Sequence, residues 1–518
     1  MLQIASLLPF ASGAGGLGAA ATGSGGFTRP VIDYHAFAPE IVLTGVLVLV
    51  LLTDLFVPED RKVIVTNLAG LGVLASLIPI ITLAVDGHDR VMFGGAFVVD
   101  DFSLVFKGLF IATGYIVLLM STNYVADGDY YEGEYSFLLL SSILGMVVMA
   151  SSRDLITIFV ALEMLSLPAY MLAGWRKRDL KSNEAALKYY LLGVLSSAVM
   201  LYGMSLVFGT TGTTVLADIG AQLAQQGTTP PLITVALLMI VLGFAFKVSA
   251  VPFHFWAPDT YEGAPTPVAA FLSVASKTAG FVALIEILYV GFLSNNEVWG
   301  PLCWVLAALS MTVGNLIALR QTNIVRMLAY SSIAQAGYIL VPFAVAGANG
   351  DALVTAQKAS AMYLLVYTAM NLGAFAVVIA VARKTRSGEI SSYGGLFTYA
   401  PGLTLLMSAF MFSLAGIPPL GGWFAKLFMF SATLDAGTGA AIALAVIAGV
   451  NSVIALFYYA SVAREMWMSP VPDGDVTPIR VPPALGAALT ITVVLTVVLG
   501  VYPSLFGRLA DVTVLARL

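Results

Sequence analysis

Apolar segments long enough to cross a lipid bilayer recur along almost the whole chain. A transmembrane helix needs about 20 predominantly apolar residues, and the pattern predicts fourteen such spans joined by short connections. Their approximate bounds are 37–57, 63–85, 102–122, 135–152, 154–174, 184–209, 231–256, 266–292, 301–319, 327–345, 359–382, 402–431, 439–463 and 483–506. The sequence therefore predicts an all-α polytopic membrane protein without an inserted soluble domain.

The composition agrees with this class. Of 518 residues, 59% are hydrophobic and 10% are charged, with a mean hydropathy of +0.93, whereas soluble domains carry roughly 25% charged residues. The net charge of −5 is too small and too scattered to indicate a nucleic-acid partner. With one cysteine and three histidines, the chain alone cannot build a disulfide, a zinc cluster, an iron–sulfur centre or a haem site, so we expect no cofactor and no metal in it.

The distribution of basic residues predicts the orientation. Odd-numbered connections between spans hold thirteen of them, even-numbered connections three and the two tails three. The thirteen are Arg61, Lys62, Arg176, Lys177, Arg178, Lys181, Arg320, Arg326, Arg383, Lys384, Arg386, Arg464 and Arg480. Because cytoplasmic loops carry an excess of Lys and Arg, the odd connections are predicted to be cytoplasmic and both termini to lie outside.

Five lysines remain, all inside predicted spans: Lys107, Lys188, Lys247, Lys277 and Lys426. Placing one lysine at membrane depth costs at least ~2.5–3.5 kcal/mol. Lys107 lies near the start of its span, where its amine could reach the interface, and it is set aside. The other four indicate a polar path through the membrane.

Two of these lysines lie in spans that proline interrupts. The span of Lys247 is broken at Pro252, and the span of Lys426 at Pro418 and Pro419. Proline removes a helical hydrogen bond that lipid cannot replace, so such breaks are tolerated where they line a cavity in the protein. The lysine precedes the break in one span and follows it in the other, five helices later, as an inverted internal repeat would produce.

These breaks suggest how the chain is organised. We predict a Gly/Ala-rich extension at 1–30, three helices over 31–134, a first five-helix repeat over 135–292, a second repeat over 293–470, and a last helix with the C-terminus over 471–518. The extension lacks the basic start of a signal peptide.

Glu163 is the one carboxylate that stands out inside these spans, and it precedes Pro168 by five residues. The proline frees the carbonyl of Met164, which makes the position locally polar. A nearby carboxylate favours the charged form of an amine, and burial favours the neutral form. Moving Glu163 relative to Lys247 would therefore switch that lysine between holding and releasing a proton. The alternative is a structural ion pair that joins two helices.

The remaining candidates have less certain roles. His254 follows the first break and could relay protons or cap the broken helix. Lys277 needs a partner or water from another helix, because Glu286 is nine residues on and faces about half a helical revolution away. Lys188 follows Glu184 by four residues, a spacing that forms helix ion pairs. A row of amines with one clear acid suits protons better than sodium or other hard cations, which prefer oxygen ligands.

Five segments of the chain carry a family resemblance. They are ALEMLSLPAY, EAALKYYLLG, VPFHFWAPDTYEGAPTPVAAFLSVASK, QTNIVRMLAYSSIAQAGY and SLAGIPPLGGWFAKLF, in that order. The chain after residue 30 resembles the antiporter-like subunits of proton-pumping NADH-quinone oxidoreductase (respiratory complex I), most closely the subunit N family. This resemblance implies fourteen helices with two inverted five-helix repeats, in a bacterial cytoplasmic membrane.

The resemblance also implies roles and partners. Six residues match positions of proton transfer in the family: Glu163, Lys188, Lys247, His254, Lys277 and Lys426. The family picture is a half-channel reaching Lys247, a central axis through His254 and Lys277, and an exit near Lys426. Flavin, iron–sulfur clusters and quinone are expected in partner subunits, with antiporter-like subunit M and the small K/J-type subunits as neighbours.

Two features distinguish this chain from the other antiporter-like subunits. Subunit M carries a glutamate where Lys426 stands here, and subunit L continues into a long lateral helix that we do not expect in this chain. Gln335 occupies a position where relatives often carry histidine, which weakens the case for a titrating group there.

Two rival functions remain: a subunit of a cation/proton antiporter, and a scaffold whose lysines only brace helices.

Overall fold

The computed structural model describes residues 31–58, 61–128, 132–347 and 350–504, and the single residues 507, 509, 511 and 515. The extension predicted over residues 1–30 lies outside this part of the chain.

In the described part the chain folds into α-helices and one short hairpin. The helices are α1 (Ala38–Phe56), α2 (Val63–Ala75), α3 (Leu77–Asp86), α4 (Asp101–Asp127), α5 (Glu132–Met149), α6 (Leu155–Ala173), α7 (Leu180–Thr211), α8 (Leu216–Gln225), α9 (Pro231–Lys247), α10 (Trp256–Gly263), α11 (Thr266–Phe271), α12 (Lys277–Glu286), α13 (Asn296–Ala318), α14 (Ile324–Val345), α15 (Gly350–Thr385), α16 (Leu396–Tyr399), α17 (Pro401–Ala415), α18 (Gly421–Ala436), α19 (Gly439–Met468) and α20 (Pro483–Val501). Strands β1 (Arg90–Met92) and β2 (Phe97–Val99) form the antiparallel hairpin, with Arg90 opposite Val99.

The helices confirm a multi-pass α-helical membrane protein. Eleven helical segments of the described chain are long and apolar enough to cross a membrane, and three shorter apolar helices accompany them. The shorter ones are Gly133–Met149, Pro231–Lys247 and Pro401–Ala415. Each of the fourteen predicted spans overlaps one of these segments, while the number of crossings and the inverted repeats stay predictions.

Short polar side chains start several of the helices. Asp100 accepts a hydrogen bond from the Ser103 amide at 2.8 Å before α4, and Asp154 accepts from two amides at the start of α6. Asn323 caps α14 in the same way. Each such cap satisfies amides that the helix leaves without partners and contributes about 1 kcal/mol.

Glycines allow several helix pairs to touch backbone to backbone. A Cβ atom at Gly145 of α5 would lie 2.6 Å from the Leu165 nitrogen of α6. The same holds for Gly203 of α7 against the Ala236 oxygen of α9, at 2.7 Å, and for α13 against α14 through Gly314. Such close approach is typical of helix association in lipid, where small residues line the interface.

The segment that carries Lys277 runs through the middle of the bundle. Thr266–Gly291 and Gly350–Thr385 are buried along the whole of their most apolar stretch, whereas α1, α7 and α19 lie at the periphery. Two π-helical turns, Leu272–Ser276 and Ile287–Gly291, flank α12. Polar groups on α12 are therefore shielded from lipid by protein on every side.

Candidate functional site

The first helix break is held together by neighbouring side chains. α9 ends at Lys247 and α10 begins at Trp256, as the sequence predicts. Trp256 donates its indole N–H to the Phe246 carbonyl at 2.9 Å, and the Val251 amide donates to Ser310 Oγ at 2.8 Å. Protein groups thus satisfy backbone that lipid could not, which is the condition for irregular structure at membrane depth.

Lys247 is buried at the end of α9 and is 4% exposed. Its Nζ donates to Ser166 Oγ at 2.8 Å, and Ser166 donates in turn to the Leu162 carbonyl at 2.6 Å. Glu163 lies near enough for its charge to act on Lys247, but Ser166 takes the place of a direct salt bridge. Glu163 Oε1 is buried and has no hydrogen-bond partner within the described residues.

His254 and Lys277 lie next along this line. His254 is buried in the turn between α9 and α10, with its ring against Phe255 at 4.5 Å between centroids, and α10 begins without a side-chain cap. Lys277 is near enough for its charge to act on the imidazole. Lys277, 2% exposed, donates to Ser332 Oγ at 2.7 Å and to the Ser332 carbonyl at 3.1 Å. The Tyr261 ring lies 5.8 Å from its Nζ.

The second break brings Lys426 back to the end of the preceding helix. α17 ends at Ala415 and α18 begins at Gly421, as predicted for the Pro418–Pro419 interruption. Lys426, 4% exposed, donates to the Ala415 carbonyl at 2.7 Å and to Ser452 Oγ at 3.1 Å. The last carbonyls of a helix carry partial negative charge and lack helical partners, so the break itself supplies the acceptor for this amine.

Gln335 is hydrogen bonded on both sides of its amide. Its Nε2 donates to the Leu414 carbonyl at 3.1 Å and to the Tyr459 hydroxyl at 3.3 Å, and the Tyr363 hydroxyl donates to its Oε1 at 2.6 Å. An amide cannot titrate, so at this point a proton would have to pass by way of hydroxyl groups or water.

Helix α14 connects the two distal amines. Ser332, the acceptor of Lys277, and Gln335 are three residues apart and therefore lie on one face of the helix. The carbonyl that Gln335 contacts precedes the Ala415 carbonyl that receives Lys426. Ser332 and Gln335 thus place polar groups between Lys277 and Lys426 inside the bundle.

Lys188 belongs to a different environment. Its amine pairs with Glu184 at 2.7 Å, as the sequence spacing predicts, and with Asp259 at 2.8 Å. Arg326 binds the other carboxylate oxygen of Asp259 at 2.9 Å. Burial raises the pKa of Asp259, but the hydrogen bonds from Lys188 and Arg326 outweigh it and hold that pKa below its usual value. Lys188 lies in a partly exposed ion-pair network and not beside the buried amines.

The sequence predicted Lys107 wrongly and gave no sign that Arg153 is buried. Lys107 does not reach the interface: it is fully buried, with its Nζ 2.7 Å from Glu40 Oε1. Arg153 does lie in the even-numbered connection between α5 and α6, but it is buried between Asp100 and Glu286. The partners come from helices far apart in sequence, and periodicity within one helix carries no information about such contacts.

Lys247, Lys277 and Lys426, here called the lysine row, share one property. Each donates to neutral oxygens, and none makes a salt bridge to a carboxylate of the described residues. Sequence reasoning missed these acceptors. Their serines lie in the segments EMLSLP, AYSSIAQ and VNSVIAL and suit hydrogen bonds between helices, but no sequence signal pairs them with particular lysines.

Comparison with known proteins gives one family and several close structures. The family model described as NADH:quinone oxidoreductase/Mrp antiporter, transmembrane part, matches residues 152–454, a range that contains Glu163 and the whole lysine row. Subunit N of the NADH-quinone oxidoreductase of Trichlorobacter lovleyi is 39% identical over 483 residues, covering 93% of this chain and 96% of that relative.

Solved structures show the same architecture. A chain of respiratory complex I from Thermus thermophilus with bound aureothin matches with a TM-score of 0.76 and 34% identity, over 91% of this chain and 99% of that one. A chain of the Mrp complex from Dietzia sp. matches with a TM-score of 0.77 over 93% and 96%, at 22% identity. At that identity the second likeness concerns the fold alone.

Proposed function

Because the chain belongs to the subunit N family of NADH-quinone oxidoreductase, we propose that its lysine row carries protons across the membrane as part of a respiratory complex I. The chain is a membrane-arm subunit whose proton translocation is coupled to electron transfer from NADH to quinone in other subunits. Relatives over nearly the full length support this assignment.

The observation that carries the proposal is the set of neutral partners around three buried amines. A carboxylate at salt-bridge distance stabilises the ammonium form and makes its proton hard to remove. Hydroxyl and carbonyl oxygens accept hydrogen bonds from either form of the amine, so both protonation states of the lysine row are accessible. A structural brace would instead be expected to show paired charges, as Lys107 and Glu40 do.

The path follows the contacts of these groups. Glu163 biases Lys247 electrostatically, and its free Oε1 offers a place for a proton. His254 and Lys277 continue the path to the centre of the bundle, and hydroxyl groups and water around Gln335 carry it to Lys426. Lys188 would act at the entrance, through its ion pair with Asp259.

The surroundings of the chain form part of the proposal. We place it in the bacterial cytoplasmic membrane with both termini outside, following the distribution of basic residues. Subunit M and the small K/J-type subunits would be its neighbours, and partner subunits would hold flavin, iron–sulfur clusters and quinone. Two inverted repeats over 135–292 and 293–470 are supported by the two lysine-bearing breaks.

The Lys247→Ala variant tests the role of the lysine row. In the assembled complex we expect proton pumping and quinone reduction to slow about tenfold or more, which corresponds to a barrier raised by ~1.4 kcal/mol. Lys62→Ala is the matched control, because Lys62 is partly exposed and paired with Asp54 at 2.6 Å. Fewer assembled complexes, each with normal pumping, would instead identify Lys247 as a structural brace.

A cation/proton antiporter subunit is the second candidate, favoured by the fold of the Mrp chain. NADH oxidation in membrane vesicles separates the two. The proposed function predicts acidification driven by NADH that disappears when this chain is deleted, whereas an antiporter subunit would leave that acidification intact and remove sodium-driven proton exchange.

A further inference from the structure

A second group of charged residues is buried apart from the lysine row. It comprises Glu40 of α1, Asp100 and Lys107 at the start of α4, Arg153 before α6, and Glu286 at the end of α12; we refer to it as the outer cluster. Lys107 pairs with Glu40 at 2.7 Å, and Arg153 pairs with Asp100 at 2.8 Å and with Glu286. We propose that the outer cluster is a proton-binding site, with the proton held on Glu286.

The charges of the cluster do not balance when every group is ionised. Three carboxyl groups face two cations, Lys107 and Arg153, which leaves one negative charge without a partner. All five residues are at most 8% exposed in the chain by itself, so water does not stabilise that charge. A buried carboxylate that lacks a counter-ion takes up a proton instead of remaining charged, and a single proton makes the cluster neutral.

The contacts identify Glu286 as the group that holds the proton. Both oxygens of Asp100 accept hydrogen bonds, one from the Ser103 amide and one from Arg153. Neither oxygen of Glu40 has a hydrogen-bond partner among the described residues, but Glu40 has Lys107 as a cation of its own, with Nζ 2.7 Å from Oε1, whereas Asp100 and Glu286 share one cation. Glu286 shares Arg153 through Oε1, while its Oε2 is buried with no hydrogen-bond partner among the described residues. The proton therefore belongs on Oε2 of Glu286.

Within the described part of the chain, no other charged group compensates Glu286. The outer ends of α5 and α9, which pack near α12, carry no charged residue. Asp154 is close in sequence to Arg153, but Thr214 and the amides at the start of α6 satisfy it. Asp218 of α8 is exposed. Lys277, at the other end of α12, faces half a revolution away and donates to Ser332.

The outer cluster lies at one end of the bundle. Arg153 and Asp100 lie in even-numbered connections and Glu40 near the start of the first span, all at the end of the bundle that the basic residues predict to be outside. The lysine row reaches the middle of the bundle, whereas this carboxyl group lies beyond it, near the outer surface. The proposal does not require that the lysine row pumps.

Infrared spectroscopy of the intact complex in membranes tests the site. A protonated carboxyl group has a carbonyl stretch well separated from carboxylate bands, so wild type minus Glu286→Gln should show one such band. The matched control Glu297→Gln, which removes an exposed glutamate eleven residues on, should leave that band in place. Identical spectra for wild type and Glu286→Gln in this region would overturn the proposal.

A second variant covers the case in which Glu286→Gln does not assemble. Asp100→Asn keeps a capping side chain for α4 and leaves two carboxyl groups with two cations, so Glu286 should ionise and the same band should disappear. Persistence of the band in Asp100→Asn would show that charge balance does not govern the site, and the proposal would fall.

Discussion

At the scale of single residues, the acceptor of each buried amine decides what that amine can do. Lys426 donates to a helix-terminal carbonyl and a serine hydroxyl, and neither requires the amine to stay charged. Lys107 contacts Glu40 directly. Neutralising one of the two would leave the other as an unpaired charge in apolar surroundings. The two lysines are buried to a similar degree, and their different partners predict a proton carrier at Lys426 and a structural brace at Lys107.

Lys426→Arg tests this distinction. The guanidinium group keeps the charge and donates to the same oxygens, but it does not release a proton in proteins. We expect assembled complex with quinone-reductase turnover reduced about tenfold or more. The control Lys384→Arg replaces a lysine at the end of α15 that donates to the carbonyls of Asp475 and Thr477, and should retain turnover.

If Lys426→Arg pumps normally, a fixed charge is sufficient at this position and the proton-carrier role is refuted. Where the larger side chain prevents assembly, Lys426→Gln provides the neutral counterpart, which still donates a hydrogen bond. Normal pumping by Lys426→Gln would contradict the proposal in the same way.

The sequence predicted which lysines lie inside the membrane but not what surrounds them. Setting aside the basic residues of the connections and tails left five lysines within predicted spans, because charged residues are rare there. Lys247, Lys277 and Lys426 are buried as expected, whereas Lys188 lies in a partly exposed ion-pair network. The sequence misassigned Lys107, whose partner Glu40 lies in another helix, and it did not predict that Arg153 is buried against Glu286. Contacts between distant segments depend on how the helices pack, and the spacing of residues along one sequence does not show which helices pack together.

At the scale of elements, the two breaks are built differently. At the first break, Trp256 donates to the Phe246 carbonyl, which also accepts from the Ser249 amide, and Lys247 donates to Ser166 of α6. At the second, Gly416 adopts a φ of 89°, a left-handed conformation that suits glycine, and Lys426 takes the free carbonyl itself. Proline positions predicted both breaks correctly, whereas Pro168 lies inside an uninterrupted α6.

Gly422→Ala tests how tightly the second break is closed. A Cβ atom at Gly422 would lie 1.7 Å from the Ser413 carbonyl oxygen, and backbone cannot yield as a flexible side chain can. We expect a loss of about 1–3 kcal/mol or more from overpacking, seen as a lower melting temperature and less assembled complex. Gly449→Ala in α19, with no atom within 4 Å of the new Cβ, should be neutral or stabilising by up to about 1 kcal/mol. Equal behaviour of the two variants would contradict the predicted clash.

At the scale of the whole molecule, the predicted orientation is the property most open to direct measurement. The spans themselves follow from hydropathy, and the helices of the structure overlap all of them. Which end of the bundle faces the cytoplasm is predicted from the basic residues alone, because the contacts inside a helix bundle are the same in either orientation.

Cysteine labelling can determine the sidedness. Cys303 is 1% exposed, so the wild-type chain should not react with a membrane-impermeant maleimide. Ser294→Cys, in an even-numbered connection, should react in intact spheroplasts, and Arg178→Cys, in an odd-numbered one, only after permeabilisation; both positions are exposed. The reverse pattern would invert the topology and move the outer cluster to the cytoplasmic side.

The backbone contacts at Gly145, Gly203 and Gly314 have a mechanical consequence. Where two helices meet through main-chain atoms, no flexible side chain separates them, so we expect each pair to move as one rigid unit. α5 with α6, α7 with α9, and α13 with α14 then move as units. We therefore expect any displacement that quinone reduction imposes on the bundle to fall between these helix pairs and not within them.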